Sequence, residues 1–162
     1  MQVLTRPWGA MHYQTDGAAS GPTVVFANSL GTDLRLWDAL LPHLPTGFRY
    51  VRYDKRGHGL SDLGGAVTAA DLADDAAALI AHLGGPVTFV GLSIGGLIAQ
   101  ALAANHPGLV KAIVISNSAA KLGTAETWQA RIDAIRTGGL VSIADAVMER
   151  WFAPAFRTSP AV

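Results

Sequence analysis

The sequence predicts an α/β protein: a mostly parallel sheet with helices on both faces. Three observations carry this reading. Short strand-like runs at residues 23–27, 48–53, 87–90 and 111–116 alternate with stretches of helical period. Several of these runs are apolar without interruption, as expected of strands covered on both faces. One of them, Val87-Thr-Phe-Val, leads through Gly91-Leu-Ser93-Ile-Gly95-Gly96 into strong helix formers, giving strand, sharp turn and helix within one short segment.

The chain has 162 residues, which suits one domain, with residues 1–120 reading as its core and residues 121–162 as a partial helical lid. Half the residues are hydrophobic and 15% are charged, so a substantial core can form. The formal net charge is zero, and no basic face points to nucleic acid. There is no cysteine, which removes disulfide frameworks and thiolate metal sites. The five histidines show no H-E-x-x-H spacing, so neither a metal nor any other cofactor is expected. The amino terminus lacks the charged and apolar regions of a signal peptide, and the expectation is a cytoplasmic protein without a membrane span. Residues 86–104 are uncharged, yet Thr88, Ser93, Gln100 and four glycines argue against a span there.

Taken in order, residues 1–19 read as a hairpin with strands at 3–5 and 11–15 and a bend at Pro7-Trp-Gly. His12 lies in the second strand and reads as a surface or packing residue. After the strand at 23–27 comes Asn28-Ser-Leu-Gly-Thr32, then a predicted helix with Asp33 as N-cap and Leu34, Trp37, Leu41 and Leu44 as its buried stripe. The strand at 48–53 ends in Asp54-Lys-Arg-Gly-His-Gly-Leu-Ser-Asp62, whose glycines and charges predict a turn tied to nearby backbone. His58 in this loop offers itself as a base for Ser93, with Asp54 or Asp62 to orient it, but a loop histidine reads first as a structural or exposed residue. Thr68-Ala-Ala-Asp71 predicts a capping box opening a helix with Leu72, Ala76, Leu79, Ile80 and Leu83 on one face. Asp71, Asp74 and Asp75 sit near its positive end and need no catalytic role. Past the strand at 111–116, Trp128, Ile132 and Ile135 mark one helix, broken at Gly138-Gly139. Ser142 to Asp145 predicts the cap of another, bearing Val147, Met148 and Trp151, and Pro154 and Pro160 punctuate the end.

The G-x-S-x-G turn carries the chemistry. It holds Ser93 out at the carboxyl end of the sheet, while Gly91 and Gly95 avoid collisions with the neighbouring strand and helix. The helix start offers free N–H groups, and that of Ile94 is placed to bind an oxyanion. A second donor belongs on the loop after the strand at 23–27, and the Leu30 N–H is the candidate.

Gly91–Gly96 resembles the nucleophile elbow of the α/β-hydrolase superfamily, and residues 54–62 resemble its D-x-R-G-x-G-x-S-D loop. More narrowly, Asn28-Ser-Leu-Gly-Thr-Asp-Leu-Arg-Leu-Trp37 is similar to 3-oxoadipate enol-lactonases, as are residues 117–123 with Trp128 and Arg131, and residues 149–157. The resemblance implies hydrolysis of the enol-lactone of 3-oxoadipate in aromatic-acid catabolism, by a serine hydrolase acting on a small lactone or ester. Other esterases and perhydrolases of the fold are the alternative. By position, Ser93 is the nucleophile and the Leu30 and Ile94 N–H groups form the oxyanion hole. A serine there also argues against dehalogenases and epoxide hydrolases, which use aspartate. Arg131 is the candidate clamp for the substrate carboxylate, and Trp128 a candidate pocket wall.

The resemblance also implies the order serine, acid, histidine, with the last two beyond the lid. No histidine follows His106. The expectation is therefore an α/β-hydrolase fold cut short after its sixth strand and part of its lid. Three explanations stay open. The chain is a fragment of a longer enzyme, or a second chain completes the sheet and triad, or it is a non-catalytic binder of small molecules.

Overall fold

The computed structural model describes residues 1–158, so Pro160 lies outside the described residues. The chain divides into two compact units, Met1–Leu122 and a second beginning at Gly123.

The first unit is organised on a six-stranded sheet of order β1-β2-β4-β3-β5-β6. Its strands are β1 (Gln2–Arg6), β2 (Gly9–Gly17), β3 (Thr23–Ala27), β4 (Arg49–Tyr53), β5 (Val87–Leu92) and β6 (Val110–Ser116). β1 and β2 form the expected hairpin, with Arg6 opposite Gly9 across a two-residue bend. β2 pairs antiparallel with β4, and the pairs β4–β3, β3–β5 and β5–β6 are parallel. The carboxyl ends of β3, β4, β5 and β6 therefore lie along one edge.

Side-chain alternation sends Val25 and Ala27 to one face and Val24 and Phe26 to the other. On the first face they join Met11, Val51 and Phe89 under α1 (Ala69–His82) and α2 (Ile94–Asn105), which contribute Leu79, Ile80, Ile98 and Leu102, all fully buried. On the second face Phe26, Trp37 and Tyr50 pack together, their flanks covered by Leu41, Leu44 and Phe48. Burying such a side chain contributes about 1.5–3 kcal/mol, which makes these two layers the main stabilising element. β6 lies at the sheet edge, where Val114 and Ile115 are exposed.

The stretch after residue 32 departs from expectation. In place of one α-helix there are two 3-10 turns, Leu34–Trp37 and Leu41–His43. Pro42 has no N–H to give to Asp38, and its ring would strike that carbonyl, so an α-helix cannot run through. Asp33 does cap the first turn, accepting from the Arg35 N–H at 2.9 Å, and Leu34 and Trp37 are buried as predicted.

The capping box of α1 is present, with the Thr68 hydroxyl accepting from the Asp71 N–H and the Asp71 carboxylate from the Thr68 N–H. Asp75 behaves differently from its neighbours. It is buried, and accepts from Trp8 Nε1 at 2.7 Å and Arg56 Nε at 2.7 Å, with Arg6 Nε at 3.5 Å. Its place is set by these partners and not by the helix dipole.

The second unit contains α3 (Ala125–Gly138), α4 (Ala144–Trp151) and α5 (Pro154–Arg157). α3 opens on a capping box from Thr124 and stops at Gly139, whose φ of 70° only glycine adopts freely. Ser142 does not cap α4. It lies in the 3-10 turn Leu140–Ile143, and its hydroxyl donates back to the Ala134 and Gly139 carbonyls. Gly139 redirects the chain so that Ser142 faces the end of α3. Pro154 opens α5 at its first turn, where a missing N–H costs nothing.

Candidate active site

β5 runs into α2 through Ser93, whose backbone sits at φ 56°, ψ −115°. Ser93 and Asn117 are the two non-glycine residues at positive φ among the described residues, and they end the adjacent strands β5 and β6. Such backbone costs on the order of 1–3 kcal/mol and persists only where its surroundings hold it. Here they do. The Ser93 N–H donates to the Ser116 carbonyl at 2.9 Å, and its own carbonyl accepts from the Ser118 hydroxyl at 2.7 Å and the Gly96 N–H at 2.8 Å.

The glycines of the turn are a packing necessity. A Cβ on Gly91 would lie 2.1 Å from the Gly95 carbonyl oxygen, and one on Gly95 would lie 2.1 Å from the Ala27 carbonyl oxygen. The first turn of α2 therefore stands directly against the carboxyl end of β3. The Ser93 side of the site and the loop that follows Ala27 share one edge of the sheet. Ser93 itself is half-buried. Ile94 is the first residue of α2, so its N–H has no partner four residues back in the helix.

The loop at residues 28–32 is held from below. Asn28 and Ser29 are buried, and Asn28 Nδ2 donates to the Thr32 carbonyl. Lys55 is 1% exposed and gives its ammonium to the carbonyls of Asn28 and Ser29, each at 3.0 Å. Burial pushes this lysine down to about 7, with the Asp54 carboxylate acting in the opposite sense. Asp54 accepts from the Leu34 N–H at 2.8 Å and the Leu60 N–H at 3.0 Å, and pairs with His12 Nδ1 at 2.8 Å. The predicted tie between residues 54–62 and neighbouring backbone is thus present, and His12 is a buried packing residue, not a surface one.

His58 is not placed as a base. Its Nε2 accepts from the Gly31 N–H at 3.1 Å, and its Nδ1 faces the Arg56 carbonyl at 3.1 Å. This pairing requires the neutral ring with its proton on Nδ1. Burial, and after it the Lys55 charge, lower the imidazole below its ordinary value, which favours that form. Among the described residues no histidine is hydrogen-bonded to the Ser93 side chain: His82 meets the Tyr13 hydroxyl and His106 meets Asp74.

Arg131 and Trp128 lie on α3 in the second unit, with the guanidinium 5.8 Å from the centre of the indole ring. Among the described residues no group of three His, Asp or Glu side chains could hold a metal ion, and no helix is long and apolar enough to cross a membrane. The lysine and histidine that grip the loop were not singled out for that work by sequence reasoning. The available signal was a Lys-Arg-Gly-His run at the carboxyl end of a strand beside β3.

A mostly parallel sheet whose inner strand turns through a positive-φ serine into a helix defines a protein of the α/β hydrolase fold. Residues 22–137 match the family described as alpha/beta hydrolase fold, and the chain belongs to that family. It is similar to 3-oxoadipate enol-lactonase 2 of Acinetobacter baylyi, at 40% identity over 95% of this chain and 58% of that protein. Among solved structures it resembles the enol-lactonase of Burkholderia xenovorans, with TM-score 0.91 and 37% identity over 96% of this chain and 61% of that one. It also resembles a hydrolase of Pseudomonas aeruginosa, with TM-score 0.91 and 38% identity over 99% of this chain and 63% of that one. The chain thus spans less than two thirds of the length of these relatives.

Proposed function

We propose that this chain carries the nucleophile and oxyanion hole of a serine hydrolase that opens a carboxylated enol-lactone, 3-oxoadipate enol-lactone being the substrate the relatives suggest. The observation behind this is Ser93 itself, pinned at positive φ, half-buried, and beside the loop that follows β3. Its Oγ attacks the lactone carbonyl carbon, and the hydroxyl proton passes to a base. The carbonyl oxygen takes the negative charge and lies against the Leu30 and Ile94 N–H groups. The ring C–O bond then breaks as the base returns its proton to the enol oxygen, leaving an acyl-serine, which water hydrolyses with the same base taking its proton. One oxyanion donor is worth about 3–4 kcal/mol of barrier, so the two N–H groups matter as much as the nucleophile. Arg131 takes the role of carboxylate clamp, and Trp128 that of an apolar wall.

A serine hydroxyl needs a base, and the histidines described above are engaged elsewhere. The base and its orienting acid come from polypeptide beyond these 162 residues, either further sequence or a second chain that pairs with β6. The 162-residue chain alone therefore reacts slowly with esters.

The test compares the chain with a version extended to the length of the relatives, each with and without Ser93→Ala. Lactone opening by the extended protein, abolished in Ser93→Ala, is the expected result. An extended protein whose turnover survives Ser93→Ala would overturn the proposal.

A further inference from the structure

We propose that Lys55 and His58 are positioning residues of the oxyanion hole, together fixing three successive peptide units so that the Leu30 N–H is presented to the reacting carbonyl. This rests on the hydrolase reading for its chemistry, while the clamp itself is a matter of geometry.

A trans peptide is planar, with its C=O and N–H pointing to opposite sides. The Ser29 carbonyl and the Leu30 N–H belong to the same peptide unit. Lys55 Nζ draws the Ser29 carbonyl toward the interior at 3.0 Å, and the Thr32 hydroxyl donates to the same oxygen at 2.9 Å. The Leu30 N–H must then point away from Lys55. Among the described residues it has no acceptor. On one side, the preceding peptide is held through the Asn28 carbonyl, again by Lys55. On the other, the following peptide is held through the Gly31 N–H, by His58 Nε2. The two clamps act on opposite ends of the run, one giving hydrogen bonds and one taking one.

The choice of lysine has an electrostatic consequence. A buried ammonium requires acceptors, and this one spends two of its three donors on peptide carbonyls. Below about pH 7, where Lys55 keeps its proton, the positive charge behind the Ser29–Leu30 peptide polarises it and strengthens its N–H as a donor. Asp54 makes no direct pair with this ammonium: its oxygens accept from His12 Nδ1 and the Leu34 and Leu60 N–H groups, and it acts on Lys55 through space.

The test uses Lys55→Met, Lys55→Gln, His58→Ala and His58→Gln in the protein extended to the length of the relatives. Backbone 15N order parameters at Ser29, Leu30 and Gly31 are read without substrate. They are expected to fall from about 0.85 to below about 0.6 in Lys55→Met and His58→Ala. In His58→Gln, whose amide oxygen can replace the acceptor, they are expected to stay near wild type. Acylation of Ser93 by p-nitrophenyl acetate is followed in parallel. In Lys55→Met its maximal rate should drop by about 10²–10³-fold, the loss of one oxyanion donor, with half-saturation within about twofold. Lys55→Gln keeps a donor without the charge and should fall between; if Lys55→Met does not fold, Lys55→Gln and His58→Ala decide. A folded variant with unchanged loop order and unchanged acylation would overturn the clamp while leaving the hydrolase reading intact. An extended protein whose ester reaction is indifferent to Ser93→Ala would remove the hydrolase reading, and the order parameters alone would then decide the clamp.

Discussion

The α-carbon of Gly95 faces the carbonyl of Ala27 so closely that a methyl group on it would lie 2.1 Å from the oxygen. That approach joins the first turn of α2 to the end of β3, and so brings the Ser93 turn and the loop at residues 28–32 to a common edge. Both partners are backbone, so neither can swing aside as a side chain would.

Gly95→Ala should therefore cost about 1–3 kcal/mol, as overpacking does. Urea unfolding followed by circular dichroism would read this as a lower midpoint at unchanged slope. An Ala variant as stable as wild type would mean that α2 can slide off β3.

Asp75 offers a test of buried charge. It is 3% exposed and receives Trp8, Arg56 and Arg6. Asp75→Asn removes the charge facing two largely buried guanidinium groups, and a loss of about 3–5 kcal/mol is expected. Arg136→Ala, which breaks the exposed pair with Asp133, should leave the midpoint where it was. Equal effects of the two substitutions would argue against the buried cluster.

The clamp predicts a pH dependence of stability. Burial lowers Lys55 to about 7, against 10.5 for a free lysine. Between these values the unfolded chain binds more protons than the folded one, so stability rises with pH. The cost of burying the ammonium is present below about pH 7 and relieved toward 10.5. Relative to Lys55→Met, wild type should gain on the order of a few kcal/mol across that window. His58 is also lowered, by burial and then by Lys55, with Asp54 opposing. Its contribution is complete above about 6.5 and is lost as pH falls toward the folded value, since protonation removes the acceptor for the Gly31 N–H. Urea unfolding from pH 5 to 10 on wild type, Lys55→Met and His58→Gln checks both. A pH-independent difference between wild type and Lys55→Met would show that Lys55 titrates as in the unfolded chain.

If Arg131 clamps the substrate carboxylate, Arg131→Ala in active enzyme should raise KM for the carboxylated lactone by about 10- to 100-fold, the worth of a hydrogen bond to a charged group. KM for a neutral ester should change little. Equal effects on both substrates would take Arg131 out of the binding role.

Much of this protein is written in short stretches of sequence. The hairpin with its two-residue bend, the strands β3 to β6, the capping box at Thr68 and Asp71 and the G-x-S-x-G elbow each depend on residues within a few positions of one another. Local backbone preference and side-chain period decide such features, and both can be read along the chain. The predicted helix after Asp33 failed on an equally local feature, the missing N–H of Pro42.

What only the tertiary structure decided lies in contacts between residues far apart in sequence. Lys55 reaches Ser29 across 26 positions, His58 reaches Gly31 across 27 and Asp75 reaches Trp8 across 67. A lysine beside an aspartate reads as solvent-exposed until the order β2-β4-β3 sets β4 against β3 and directs the chain after Tyr53 beneath the loop at residues 28–32. The serine was legible because its turn is local. The clamp proposed for the Leu30 amide was not, because the desolvation and pairing around Lys55 exist only once the sheet has assembled.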